Sequence, residues 1–207
     1  MNILLTGGAG YIGSHAALSL LDAGHNVHII DDLSTGNKSL IPKNAFFTKC
    51  NINDEEVISE LIKSNSFDLL MHFAGFIQVE ESVKYPQKYF DNNTENATKL
   101  FETCKNNGLN KIVFSSTAAA YGSVSENKLI DENTNLNPQN PYAESKIKTE
   151  NFLFENKDDY KFIILRYFNV AGADKKLRSG QISKTSTHLI KILSEVVVGK
   201  RDHIEIF

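Results

Sequence analysis

Cysteine is scarce in this 207-residue chain, and its two cysteines, Cys50 and Cys104, are too far apart to form a metal-binding or redox motif. The six histidines are scattered as well, so no metal site is predicted. A surplus of positive charge is also missing. The 22 Lys and Arg face 25 Asp and Glu, and the net charge of −3 argues against nucleic acid as a partner.

Long apolar runs and targeting signals are absent from the sequence too. The longest nearly apolar run, residues 69–77, has about half of the roughly 20 residues that a membrane-spanning helix needs. Met1 leads directly into a strand-like segment, without the basic region of a secretory signal peptide. We therefore expect no membrane partner and a cytoplasmic location.

The composition is that of a globular protein, with 41% hydrophobic and 23% charged residues. Short β-branched runs alternate with amphipathic stretches, which predicts parallel strands connected by helices. Strands are predicted at 2–6, 27–31, 45–48, 67–73, 111–115, 162–167 and 203–207. Helices are predicted at 11–23, 53–64, 79–107 with a candidate break at Pro86, 141–156 and 186–198, and loops at 127–140 and 171–180. The fold class is therefore α/β, a doubly wound parallel sheet with helices on both faces.

A glycine-rich loop follows the first predicted strand and opens the first helix. Gly7, Gly10 and Gly13 are spaced three apart, which allows a tight turn, close approach of the backbone to a pyrophosphate, and close packing of the helix on the sheet. The first helical residues, Tyr11 and Ile12, would present free N–H groups to the phosphates. The loop therefore predicts a Rossmann-like domain that binds NAD.

Two acidic residues follow the second predicted strand. Asp31 lies 18 residues past Gly13, at the position where a carboxylate accepts hydrogen bonds from the ribose hydroxyls of adenosine. A 2′-phosphate there would meet both Asp31 and Asp32 with no arginine nearby, which favours NAD over NADP. For Asp32, the simpler interpretation is a solvated residue at the entry to a helix.

Further candidate cofactor contacts lie after the later strands, because a parallel sheet binds its ligands at the carboxyl ends of its strands. Asn51 and Ile52 follow the third strand and are candidates to face adenine. Phe73, Ala74 and Gly75 stand where the fourth strand ends. Core packing is the alternative for Phe73 and Ala74, whereas Gly75 is expected to allow a ligand to approach.

Tyr142 and Lys146 form the second strong signal. Residues four apart lie on one face of a helix, so the phenol and the ammonium point the same way. A nearby cation lowers the pKa of a phenol from its ordinary value of about 10, and a positive nicotinamide ring would act in the same direction. The pair therefore predicts a base for a substrate hydroxyl, with Lys146 also available to the nicotinamide ribose.

Hydroxyl side chains follow the fifth predicted strand and so belong to the same edge of the sheet. Thr117 is a candidate to bind the substrate oxygen and to pass its proton to Tyr142. Ser115 and Ser116 are interpreted mainly as turn residues that satisfy the backbone, with contact to the nicotinamide as the alternative for one of them.

These motifs together resemble the extended short-chain dehydrogenase/reductase family, and within it the UDP-glucose 4-epimerases. The resemblance covers essentially the whole chain. The stretches that carry it are 6–15, 72–75, 81–86, 89–93, 115–122, 141–142, 165–169 and 199–207.

The resemblance implies NAD-dependent 4-epimerisation of a UDP-hexose through a transient 4-keto sugar, without net redox change. Tyr142 would remove the proton of the sugar 4-hydroxyl, and Thr117 stands where the family has its catalytic Ser or Thr. Cofactor contacts are implied for Tyr167 and for Asn92 or its neighbour Asn93. Substrate contacts are implied for Thr117, Tyr142, Asn169, His188 and Leu189.

The resemblance also implies how the chain is organised. Residues 1–170 would form the NAD-binding domain, and 171–207 would begin a substrate-binding region. Its lid is expected to be mostly missing, because the sequence stops on an apolar strand-like segment where family members continue. A homodimer is implied through the helices 79–107 and 141–156; the alternative is that their apolar faces pack on the sheet. The apolar residues concerned are Leu100, Phe101, Ile147 and Phe152.

Several positions depart from the family pattern. Asn51 stands where many relatives carry an aspartate for the adenine amine, and Ile77 stands where some carry a lysine near the cofactor phosphates. Ala118 and Ala119 follow Thr117 in place of the acidic pair of sugar-nucleotide dehydratases, which argues against dehydration. The alternatives left open are another NAD-dependent sugar-nucleotide epimerase or decarboxylase, and a non-catalytic NAD-binding module.

Overall fold

The computed structural model describes residues 1–124, 129–183 and 188–205. Its strands are β1 (Asn2–Thr6), β2 (Asn26–Ile30), β3 (Phe46–Thr48), β4 (Leu69–His72), β5 (Lys111–Ser115) and β6 (Lys161–Leu165). They form one sheet in the order β3-β2-β1-β4-β5-β6, and every neighbouring pair is parallel. Because the strand order reverses where β1 meets β4, the predicted doubly wound sheet is confirmed.

Helices make the connections between the strands. They are α1 (Tyr11–Asp22), α2 (Glu55–Ser64), α3 (Val79–Lys84), α4 (Pro86–Tyr89), α5 (Asn96–Asn106), α6 (Pro141–Glu155) and α7 (Leu189–Val197), with a π-helical turn at Phe90–Glu95. The start of α6 is fixed by the Asn140 side chain, which accepts a hydrogen bond from the N–H of Ala143. The predicted break at Pro86 is confirmed, because Tyr85 leaves the helical conformation and Pro86 opens a new helix. None of the described helices is long and apolar enough to cross a membrane.

The larger part of the core lies on one face of the sheet, beneath α2, α5 and α6. Its fully buried side chains include Leu4, Leu70, Ile112 and Phe114 from the strands and Ile58, Leu100, Phe101 and Leu153 from the helices. On the other face, Ala17 of α1 packs with Leu5, Val27 and Ile29. Helices therefore cover both faces of the sheet, as predicted.

The segment that follows β6 returns to the first helix. The hydroxyl of Tyr11 donates to the carbonyl oxygen of Gly172 at 2.6 Å. Arg178 forms a two-pronged ion pair with Asp22, in which both nitrogen–oxygen distances are 2.8 Å. The first contact holds Gly172 at the start of α1, next to the glycine loop. The second holds Arg178 at the other end of the same helix.

Two of the predicted strand assignments are wrong. β6 ends at Leu165 and not at Tyr167, because its paired register with β5 stops where Ser115 lies opposite Leu165, and only isolated backbone hydrogen bonds follow. Residues 203–205 form no strand, since the described sheet ends at β6 and pairs no seventh strand with it. Parts of the predicted loop 127–140, helix 186–198 and strand 203–207 lie outside the described residues, namely 127–128, 186–187 and 206–207.

Candidate active site

A cavity of about 750 Å³ opens at the carboxyl ends of the strands, where β1 and β4 lie side by side. This volume is in the range of sites for small molecules and cofactors. Every residue predicted to bind the cofactor lines it: Gly7, Gly10, Tyr11, Ile12, Gly13, Asp31, Asp32, Asn51, Ile52, Phe73, Ala74, Gly75, Asn92, Ser115, Tyr142, Lys146 and Tyr167. The structure thus brings these residues together, while their individual roles stay predictions.

The glycine loop packs against the end of β4 without space for side chains. Gly7 has a φ of +73°, and a Cβ atom there would lie 2.5 Å from the backbone nitrogen of Ala74. A Cβ atom on Gly13 would lie 2.2 Å from the carbonyl oxygen of Gly7. At Gly10, no side chain from the described part of the chain caps the first turn of α1. The N–H groups of that turn are therefore available to an anionic ligand in the cavity.

Asp31 and Asp32 stand side by side after β2. The buried carboxylate of Asp31 accepts hydrogen bonds from the N–H groups of Ala9 and Leu33, both at 2.9 Å. Burial raises the pKa of Asp31, and the two backbone hydrogen bonds oppose that rise. Asp32 accepts a hydrogen bond from the side-chain amide of Asn51 at 2.9 Å. Asp32 is therefore part of the cavity wall and does not stand at the entry to a helix.

Tyr142 lies in the first turn of α6, within hydrogen-bonding distance of Thr117. The Thr117 oxygen accepts the N–H of Ala119 at 3.1 Å, which leaves its O–H free to donate to the phenol oxygen. Burial raises the pKa of Tyr142, and the hydrogen bond from Thr117 lowers it by a smaller amount. Contrary to the expectation from spacing alone, the net shift of the Tyr142 pKa is therefore upward.

Lys146 is 3% exposed, and its ammonium lies over the ring of Phe114, 5.1 Å from the centroid. Desolvation lowers the pKa of Lys146 to about 8, while the negative charge of Glu150 opposes this shift. A Cβ atom on Gly75 would lie 3.1 Å from the Lys146 nitrogen. Gly75 therefore borders the cavity and also leaves space for the Lys146 side chain. The sequence alone did not indicate this second role.

A buried ion pair lies behind the site. The Nε atom of Arg166 donates to both carboxylate oxygens of Glu150, at 3.0 and 3.1 Å, and the Ser116 hydroxyl donates to the same carboxylate. The hydroxyl groups of Ser115 and Tyr167 are hydrogen-bonded to each other. Both serines therefore bond to side chains, and not to the turn backbone as the sequence suggested.

The NAD dependent epimerase/dehydratase family matches residues 3–206, almost the full sequence. The chain belongs to this family. Among similar proteins, the UDP-glucose 4-epimerase of Azospirillum brasilense is 44% identical over 207 residues, which are 99% of this chain and 59% of that protein. This member of the epimerase/dehydratase family therefore spans about three fifths of the length of that relative.

Solved structures of the epimerase/dehydratase family superpose closely on the chain. A crystal structure of UDP-glucose 4-epimerase gives a TM-score of 0.95 at 37% identity, over 100% of this chain and 63% of that one. A crystal structure of the enzyme from Stenotrophomonas maltophila, with bound NAD and formylated UDP-arabinopyranose, gives 0.94 at 31% identity, over 100% and 65%. Both superpositions thus extend over the described parts of this chain from its first strand to its last helix.

The predicted substrate residues are only partly brought together in this family member. His188 lines the cavity, and Thr117 contacts Tyr142 without lining it. Asn169 and Leu189 are exposed and lie outside the cavity lining. Their proposed contacts with a UDP-sugar are not supported by this arrangement and stay predictions.

Sequence reasoning missed part of the cavity wall and the ion pair behind it. The additional lining residues are Ile30, Ser34, Thr35, Gly36, Cys50, Phe76, Gln78, Glu80, Glu81, Lys88, Gln181 and Ser183, and the cavity is also lined by Ile77 and Ser116, which the sequence analysis had named without assigning them a contact. Glu150 had a signal, because it follows Lys146 by four residues and so shares its helical face. The segment 76–88 had only the family resemblance of residues 81–86 and of position 77, since its residues match no motif whose chemistry is tied to spacing.

Proposed function

We propose that this chain binds NAD and acts in the 4-epimerisation of a UDP-hexose, such as UDP-glucose or UDP-galactose, through a transient 4-keto sugar. The observation that carries the proposal is the convergence of Tyr142, Thr117 and Lys146 beside the glycine loop. The Azospirillum brasilense relative is a UDP-glucose 4-epimerase, and the Stenotrophomonas maltophila structure contains NAD and a UDP-sugar. Residues 1–170 are the proposed NAD-binding domain and 171–207 the beginning of a substrate-binding region.

The residues of the cavity fit NAD. The absence of Cβ atoms at Gly7 and Gly13 allows the backbone to approach a pyrophosphate, and the uncapped first turn of α1 supplies N–H donors. Asp31 supplies a carboxylate for the adenosine ribose hydroxyls. Together with Asp32 it would repel the 2′-phosphate of NADP.

Tyr142 is the proposed base of the reaction. Its oxygen takes the proton of the sugar 4-hydroxyl, and Thr117, which donates to that oxygen, stabilises the phenolate. Lys146 adds a positive charge in the same cavity and offers N–H donors to ribose hydroxyls. When bound, NAD supplies the acceptor and donor for the hydride of C4. After the 4-keto sugar has turned, hydride would return to the opposite face of C4, which inverts the configuration there, and Tyr142 returns its proton to the 4-oxygen.

Dehydration is a less suitable activity for this site. Removing water from a sugar needs a general acid for the leaving hydroxyl in addition to the base. The residues after Thr117 are Ala118 and Ala119, and neither side chain can act as a general acid. This supports epimerisation over the 4,6-dehydratase reaction.

Two measurements on the purified chain test the proposal. Coenzyme binding is measured with NADH, whose fluorescence changes when it binds, and with NAD as its competitor; turnover is measured by conversion of UDP-galactose to UDP-glucose. Tyr142→Phe is expected to lower turnover by about 100-fold or more while NAD still binds, because only the proton acceptor is removed. Tyr85→Phe, an exposed tyrosine outside the cavity, is the matched control. Failure to bind NAD would contradict the whole proposal, and binding without turnover would favour the non-catalytic module.

We also propose a homodimer through the helical segments 79–107 and 141–156, in a cytoplasmic location. The predicted interface residues Leu100, Phe101 and Phe152 belong to the core packing, so the interface would use Ile147 and the exposed Val83. Sedimentation of the wild type and of Ile147→Glu tests the dimer. The free thiols of both cysteines support a reducing compartment.

A further inference from the structure

The carboxylate of Glu150 is buried and accepts several hydrogen bonds. The residue is 0% exposed, and the Nε atom of Arg166 donates to both carboxylate oxygens, at 3.0 and 3.1 Å. The Ser116 hydroxyl donates to one of the same oxygens. Arg166 in turn donates to the hydroxyl of Tyr121 at 3.2 Å. The acidic group is thus fully paired, as a buried charge must be.

These partners come from three segments that carry residues of the site. Ser116 precedes Thr117, Arg166 precedes Tyr167, and Glu150 follows Lys146 by one helical turn. Backbone hydrogen bonds join the same loops, because the N–H groups of residues 116 and 118 donate to the carbonyl oxygens of residues 165 and 167. The ion pair therefore lies where the three segments meet, behind the cavity wall.

We propose that Glu150 is a positioning residue of this site. Its carboxylate holds Ser116 and Arg166 in place, and with them the adjoining Thr117. It is also the anion whose charge acts on the buried ammonium of Lys146. The assignment of Lys146 to a reaction rests on the proposed function, whereas the electrostatic link between the two side chains does not.

The charged groups around Lys146 determine whether its pKa rises or falls when one of them is removed. Among the described residues, the ionisable groups that interact with its ammonium are Glu150 on its own helix and His72 of β4. His72 is neutral, since burial lowers its pKa to about 3, and burial keeps Tyr142 and Tyr167, which line the same cavity, protonated by raising their pKa values. Glu150 is therefore the anion that acts on Lys146, and Arg166, its partner in the ion pair, determines how much of that negative charge is compensated.

A role in stability alone would not require this arrangement. Replacing a buried ion pair by apolar side chains of similar size is often neutral or stabilising, since desolvation of the charges offsets their attraction. Mutating the pair would change the free energy of unfolding in either case, whereas the proposed link also shifts the titration of Lys146 in a direction set by the sign of the charge removed.

The test is a pH titration of the Lys146 side chain by NMR, in protein labelled with carbon-13 at lysine Cε and free of coenzyme and substrate. Lys146→Arg identifies the signal. Glu150→Gln is expected to move the titration midpoint down by about one pH unit, because it removes the anion and leaves the cation of Arg166. Arg166→Gln is expected to move it up, because the carboxylate then lacks its counter-charge. Glu155→Gln, the same change on an exposed part of α6, is the control with no shift.

Opposite shifts in the two variants, with none in the control, support the proposal. Equal shifts, shifts of the same sign, or no shift in either variant overturn it. If one variant fails to fold, as urea unfolding would show, the sign of the shift in the other decides. Turnover of the wild type is measured separately, so a chain without epimerase activity contradicts the proposed function and leaves the titration result intact.

Discussion

The ammonium nitrogen of Lys146 lies 3.1 Å from the position that a Cβ atom on Gly75 would occupy, and the amide oxygen of Asn93 lies at the same distance. The Lys146 ammonium and the Asn93 amide therefore border the space that Gly75, which has no side chain, leaves at this edge of the cavity. The lysine nitrogen is the end of a flexible side chain, so a methyl group at Gly75 displaces a charge more than it disturbs the fold.

Gly75→Ala is expected to lower turnover about 10- to 100-fold, because the ammonium moves away from the position it holds in the cavity. The free energy of unfolding should fall by less than about 1 kcal/mol. Turnover of UDP-galactose and urea unfolding measure the two effects. Gly180→Ala is the control, since its Cβ would lie 3.6 Å from the Ala173 Cβ, an ordinary contact. Normal turnover in Gly75→Ala would mean that the lysine position does not matter.

Gly7→Ala is expected to damage both the fold and the coenzyme site. Its Cβ would lie 2.5 Å from the backbone nitrogen of Ala74, which cannot move aside, and its φ of +73° adds strain. We expect a loss of about 2–4 kcal/mol in the free energy of unfolding and at least tenfold weaker NAD binding. Gly24→Ala separates the two causes, because Gly24 has a φ of +81° and open space around it. Equal losses in both variants would rule out the contact with Ala74.

Asp31→Asn is expected to weaken the preference for NAD over NADP by about tenfold, because one of the two carboxylates that repel a 2′-phosphate becomes neutral. The amide oxygen still accepts one of the backbone hydrogen bonds that Asp31 now holds from Ala9 and Leu33. The ratio of the two dissociation constants is the measurement, at fixed salt. Asp158→Asn, an exposed aspartate remote from the cavity lining, should leave the ratio unchanged. An unaltered ratio in Asp31→Asn would exclude this basis for coenzyme choice.

His72 is expected to dominate the acid side of the stability profile. It is fully buried, with Nδ1 hydrogen-bonded to the Thr6 hydroxyl at 2.7 Å, and burial together with the charge of Lys146 lowers its pKa from 6.5 to about 3. A histidine with a lower pKa in the folded protein takes up a proton on unfolding below pH 6.5. The free energy of unfolding therefore falls as the pH decreases from 6.5 towards 3, by up to about 1.4 kcal/mol per pH unit.

His72→Gln removes the titrating group and is expected to remove this slope, although it lowers stability at neutral pH. Urea unfolding at intervals between pH 7 and pH 4 measures the slope for each protein. The exposed His203 supplies the control, because His203→Gln should keep the wild-type slope. A wild type and His72→Gln with parallel profiles would show that His72 is not the group responsible.

The fold was predictable where local pattern and tertiary structure coincide. The strand that leads into Gly7 and the helix that follows Asn140 are fixed by hydrophobic runs, glycine spacing and capping, all of which are local. The end of β6 was not predictable, since Arg166 leaves the strand pattern to reach Glu150. That contact depends on a helix 16 residues earlier in the chain.

The site was predictable to the extent that spacing encodes chemistry. Tyr142 and Lys146 are four apart on one helix, so their common face follows from the sequence alone. The pKa of Tyr142 did not follow, because it depends on how deeply the phenol is buried, a property of the whole fold. The cavity wall from 76 to 88 was missed for the same reason, as its residues meet the cavity only through tertiary packing.

The two-pronged contact between Asp22 and Arg178 has a kinetic consequence. The residues it joins are 156 positions apart, so it can form only after the intervening strands have assembled and the loop between them has been closed. We expect the outer side of the first helix to be the last surface to become ordered during folding. Salt screens exposed charges, so we expect raised salt to speed dissociation of the segment around Arg178 from α1 at concentrations that leave the sheet intact.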